Sequence, residues 1–75
     1  MNISQKSLNF IQDNVLHKLG YNSITSDNLQ DIVDFISDNF EIPLAQAKEN
    51  GEPIDENLLE LAASVITEIT TNPNW

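Results

Sequence analysis

Residues 26–41, SDNLQDIVDFISDNFE, decide how this chain folds. At about 100° per residue, Leu29, Ile32, Val33, Ile36 and Phe40 gather on one side of a helix within an arc of roughly 100°. Asp27, Asp31, Asp34, Asp38 and Glu41 gather opposite them within about 80°, with no base among them. The stretch therefore predicts an amphipathic helix with one core face and one acidic ridge.

Downstream, Ile42 precedes a proline and is disfavoured in the α region, so the helix is expected to stop near Glu41. Pro43 suits the first position of a new helix, and PLAQAKEN reads as a short one over 43–50, closed by Gly51. The rival is a single kinked helix, which the in-phase positions of Leu44 and Ala47 support. Asp55 is then an N-cap, with Ile54 and Leu59 at staple spacing. The following helix, 56–71, spreads Leu58, Leu59, Leu61, Ala62, Val65, Ile66 and Ile69 over about 160°, so it must touch more than one neighbour. Asn72 and Pro73 end it.

Upstream, Thr25 or Ser26 caps the central helix and Ile24 staples onto it. The link from Tyr21 to Thr25 is short, which makes the first two helices antiparallel neighbours. The first helix, 4–19, starts at Asn2 or Ser4 and ends at Gly20, with Leu8, Ile11, Val15 and Leu19 as its core stripe and Leu16 on the flank. Phe10 falls on the other side. No internal repeat, low-complexity tract or alternating strand pattern stands out. The fold expected is all-α: a small antiparallel three-helix bundle, one domain over 1–75, with a short extra helix between the second and third helices.

Twelve acids stand against three lysines, Lys6, Lys18 and Lys48, and arginine is absent, for a net charge of −9. Such a field repels phosphate backbones and anionic lipid, which argues against direct nucleic-acid or membrane binding and leaves a basic protein as the partner to expect. There is no cysteine for a disulfide or a thiolate metal site. The longest apolar runs fall far short of the roughly 20 residues of a membrane span, and no basic segment followed by an apolar run opens the chain, so a cytoplasmic protein is expected. The many asparagines and isoleucines are associated with AT-rich genomes, bacterial or phage.

Catalytic signals are lacking. His17 is a lone histidine on a polar face, no serine sits in a G-x-S-x-G elbow, and two glycines cannot build a phosphate-cradling loop. The carboxylates lack the Asp-x-Asp-x-Asp-Gly spacing of a calcium loop and the Glu-x-x-His of a di-iron bundle. No enzyme, cofactor or metal is expected.

Like charges at i,i+3 and i,i+4 along the ridge cost about 0.2–0.5 kcal/mol per pair, and four such pairs oppose the helix that carries them. Local stability does not favour that arrangement. The leading reading is a small acidic interaction module, of the inhibitor, neutraliser or adaptor type, that binds a basic surface through Asp27, Asp31, Asp34, Asp38 and Glu41. The alternative is a structural, self-associating protein whose acidic face provides solubility, with Ile3, Phe10, Phe35 and Trp75 forming a homodimer contact.

Overall fold

The computed structural model of the protein describes residues 3–71 and is all helical. Helix α1 covers 5–19, α2 covers 29–49 and α3 is Glu56–Thr71, with no strand among the described residues. Asn2, Asn72, Pro73 and Trp75, named above as a cap, two helix terminators and an apolar contact, lie outside them.

Helix α1 opens at Ser4, whose Oγ accepts the Ser7 N–H at 3.2 Å, and closes at Gly20 with φ of 78°. That left-handed residue lets the Tyr21 N–H return to the Leu16 carbonyl at 3.0 Å. Between the ends, Gln5–Ile11 is α-helical, Gln12–Leu16 forms a π turn, and His17–Leu19 returns to α. A π turn bonds i to i+5 and holds one extra residue, so everything after it lags by about one residue, or 100°.

The lag overturns the expected stripe. Phe10 now lines up with Val15, and Ile11 with Leu16, so Ser7, Phe10, Ile11, Val15 and Leu16 are all buried. Phe10 is only 4% exposed and meets Phe40 edge to face, with ring centroids 5.2 Å apart. Leu8, expected in the core, is half-buried and stands outside the core cluster.

Helix α2 starts later than expected. Thr25 and Asn28 satisfy each other reciprocally: the Thr25 N–H donates to Asn28 Oδ1 at 2.8 Å, and the Asn28 N–H donates to Thr25 Oγ1 at 3.3 Å. This is the geometry of a capping box, with asparagine in place of glutamate. Asn28 also donates to the Ser23 carbonyl at 2.8 Å, and the helix proper begins at Leu29, which leaves Asp27 in the preceding turn.

The break at Pro43 does not occur. Glu41 and Ile42 keep right-handed helical angles, φ/ψ of −65°/−56° and −64°/−50°, and Ile42–Glu49 continues α2. A second π turn, Ser37–Glu41, precedes the proline, with the Ile42 N–H donating five residues back to the Ser37 carbonyl. The next bond of that ladder would need the missing N–H of Pro43, so the π turn ends there, and its wider coil relieves the clash a proline ring makes with the carbonyl four residues back. The expected short fourth helix is therefore helical but fused to the second. Gly51, at φ of 77°, closes α2 as read from the sequence, and the Glu52 N–H bonds the Ala47 carbonyl at 2.9 Å.

Helix α3 begins as expected, with Asp55 Oδ1 accepting the Leu58 N–H at 3.1 Å. Its Ala62, Val65 and Ile69 are fully buried with Ile11, Val15, Ile32 and Ile36, so all three helices supply one core. Leu58, Leu61 and Ile66 flank that core, which accounts for the broad apolar arc.

The structure also exposes a repeat that periodicity passes over. Residues 5–19, QKSLNFIQDNVLHKL, align on 30–44, QDIVDFISDNFEIPL, with identical Gln, Phe, Ile, Asp, Asn and Leu at corresponding places. Each copy has its π turn at the same position, and each Ile of the Phe-Ile pair is 0% exposed. Asn14 Nδ2 donates to the Phe10 carbonyl at 3.1 Å and Asn39 Nδ2 to the Phe35 carbonyl at 2.9 Å. Gln5 reaches Asn9, and Gln30 reaches Asp34, each at 2.9 Å. The shared residues are scattered over several faces of the helix, so a search for an apolar stripe gives them no weight.

Candidate functional site: the acidic face of α2

Asp31, Asp34 and Asp38 are exposed on α2, and Asp27 is exposed in the turn before it. Glu41 is half-buried. The π turn explains the difference: the lag it introduces carries Glu41 away from the ridge and brings Ile42 round toward it. Ile42 is the one large apolar side chain that stays exposed among the described residues, at 44%. The expected row of five acids is thus a row of three on the helix, with an acid before it and an isoleucine after it.

Fewer like-charge pairs follow. Of the four foreseen, only Asp31 with Asp34 and Asp34 with Asp38 remain on the helix surface, so the repulsion falls to about 0.4–1 kcal/mol. Neutral donors meet two of these groups. The Tyr21 hydroxyl donates to Asp31 at 2.7 Å, and Gln30 Nε2 donates to Asp34. The hydrogen bond to Asp31, then desolvation and the Asp31 charge, raise the Tyr21 hydroxyl above its ordinary pKa of 10.0.

Among the described residues, none of the ridge carboxylates forms an ion pair with a base. Among the described residues the ion pair present is Lys48–Glu56, 3.3 Å and well exposed on both sides, which contributes little. The repeat sharpens this: where α2 carries Asp31, Asp34 and Asp38, the first copy carries Lys6, Asn9 and Asp13. The same helical unit folds with a base, an amide and one acid on that face. Its fold does not require three acids.

The residues set aside for self-association are largely turned inward. Phe10 is core, Ile3 packs against the core, and Phe35 is half-buried with its ring 6.5 Å from that of Phe40. Trp75 lies outside the described residues.

A second polar cluster, unread in the sequence, joins α3 to the start of α1. Glu68 accepts the Ser4 N–H at 2.8 Å, the Ser7 hydroxyl and, more loosely, the Ser4 hydroxyl at 3.4 Å. Ser7 is 0% exposed, and its Oγ also accepts from Ser4 Oγ at 3.0 Å. These donors, the Ser7 hydroxyl first, hold the Glu68 carboxyl below its ordinary pKa of 4.5 against a smaller opposing effect of burial. Sequence offers no signal for the contact, because its partners lie 61 residues apart and Ser7 is off the predicted stripe. A groove of about 530 Å³ opens beside it, lined by Ser4, Lys6, Ser7, Glu60, Ser64 and Glu68. A carboxylate held ionised by three donors is a poor proton acceptor, and a fully buried hydroxyl is closed to substrate, so the cluster ties helices together.

His17 is exposed at the end of α1. No group of three or more His, Cys, Asp or Glu side chains is placed to hold a metal among the described residues, and no helix there is long and apolar enough to cross a membrane. Comparison with family models, with curated proteins and with solved structures finds no match to the chain.

Proposed function

We propose that the protein is a non-catalytic acidic interaction module, an antiparallel three-helix bundle that docks a basic surface of a partner protein on the outer face of α2. The contact consists of Asp31, Asp34 and Asp38, with Asp27 at one end and the exposed Ile42 at the other; Glu41, half-buried, takes a lesser part than its place in the sequence suggests. One observation supports this reading above the others: two copies of one helical unit share six residues, a fully buried isoleucine and the position of the π turn, yet only the second has three acids on that face, none of them paired with a base among the described residues. A partner with lysine or arginine around one apolar side chain would suit a surface of this kind. Its encounter rate would fall with ionic strength.

The test is capture from native lysate with wild-type protein and with the triple change Asp31→Asn/Asp34→Asn/Asp38→Asn. The expected result is a partner that wild type retains at low salt, releases at high salt, and that the triple variant fails to hold, while the variant melts slightly higher because about 0.4–1 kcal/mol of repulsion is gone. Recovery of the same proteins by both baits would remove the ridge as the site. Light scattering at two concentrations checks the alternative, a self-associating structural protein, for which a concentration-dependent mass is expected in place of a monomer.

A further inference from the structure

We infer that the π turn Gln12–Leu16 is a register joint, about which Gln5–Ile11 can turn by one residue to exchange buried Phe10 and Ser7 for Leu8, and that Glu68 and Asn14 are the catches that hold it.

The sequence of α1 offers two apolar faces. In an unbroken α-helix the face is Leu8, Ile11, Val15 and Leu19, with Phe10 pointing away. With the π turn it is Phe10, Ile11, Val15 and Leu16, with Ser7 fully buried among them and Leu8 left at the edge. Conversion between the two is a screw motion of the first half of the helix by about 100° and 1.5 Å. Phe10 is the larger apolar group, but its face also draws in the polar Ser7, so apolar burial alone does not separate the registers by much.

Polar contacts on both sides of the turn select the observed one. Glu68 holds the Ser4 N–H and the buried Ser7 hydroxyl, which turns the start of the helix inward on that face. Asn14 Nδ2 donates at 3.1 Å to the Phe10 carbonyl, in the stretch where the π turn disturbs the i→i+4 ladder. The equivalent turn in α2 lacks this freedom. Pro43 cannot supply the N–H that an unbroken α ladder needs, whereas the corresponding residue of α1 is Lys18, which has one.

The experiment places 4-fluorophenylalanine at position 10 and follows its ¹⁹F resonance, with amide exchange across the chain, in wild type, in Glu68→Ala/Asn14→Ala, and in the latter with Gln12 deleted. Removal of the catches is expected to raise the solvent-exposed population of the ring at least about tenfold, the effect of losing one or two hydrogen bonds. Amides in Leu29–Ile36 and Glu56–Thr71 keep their protection. Deletion of Gln12 removes the extra residue, so an ordinary α-helix then aligns both halves with Phe10 inside, and a single buried resonance returns. Three results would overturn the joint: a single buried resonance in the double variant, equal loss of protection in all three helices, or an exposed ring after the deletion.

Discussion

Phe10 and Leu8 stand two residues apart and trade the places that helical periodicity assigns them. The reason is one extra residue in one turn, which no count of apolar spacings contains. The difference is measurable at the level of single side chains. Phe10→Ala should cost about 3–4 kcal/mol, since it opens a cavity beside Phe40 and Ile11, while Leu8→Ala at a half-buried position outside the core should cost no more than about 1.5 kcal/mol. Urea unfolding of the two variants settles it, and a larger loss for Leu8→Ala would mean that α1 is an unbroken α-helix. Among the ridge residues the same arithmetic applies. Asp31, Asp34 and Asp38 are where the sequence puts them, and Glu41 is not, because it follows the second π turn.

Between elements, the contact the sequence could not foretell is the one from Glu68 to the start of α1. A carboxylate at a helix N-terminus meets free N–H groups and the positive end of the dipole, and here it also satisfies a buried hydroxyl. Its pKa is lowered in the folded state, so its stabilisation is present above the unfolded value of 4.5 and is lost as pH falls through the lower folded value. Wild type should therefore lose stability toward acid more steeply than Glu68→Gln, with the two curves converging well below pH 4.5. At neutral pH, Glu68→Ala should lose about 1–2 kcal/mol, because Ser7 then has a buried hydroxyl with no acceptor for its proton. Thermal melts from pH 3 to 7 provide both readings. Parallel curves for wild type and Glu68→Gln would show that the carboxylate is not held as described. The caps, by contrast, are local and were readable in advance: Ser4, Asp55, Gly20 and Gly51 each do what their residue type and spacing indicate.

Across the whole molecule the dominant physical fact is a charge of −9 on 75 residues, with an exposed Lys48–Glu56 as the ion pair formed among the described residues. Mutual repulsion opposes the compact state, and salt screens it, with a Debye length near 8 Å at about 0.15 M falling to about 3 Å at 1 M. The melting temperature should accordingly rise between low salt and about 0.5 M sodium chloride, by several degrees for a domain of this size, and the triple ridge variant should show a smaller rise. Equal slopes for the two proteins would place the repulsion elsewhere than on α2.

The sequence by itself determined three principal helices, the termini at Ser4, Gly20, Gly51 and Asp55, the apolar face of α3 and the acidic character of α2, because each of these depends on residues within a few positions of one another. Tertiary structure alone decided the register of α1, the continuity of α2 through Pro43 and the length of its acid row. Each of these depends on where a π turn inserts one residue; in α1 that turn is held by contacts that include Glu68 on Ser7, 61 residues away, and in α2 it is ended by Pro43. The stretch from Ser26 to Glu41 keeps its core face as its periodicity indicates, while its far end is rotated by a turn whose stop lies at Pro43. Local spacing fixes what a helix can bury, and the packing of its neighbours chooses which of two nearly equal faces it does bury.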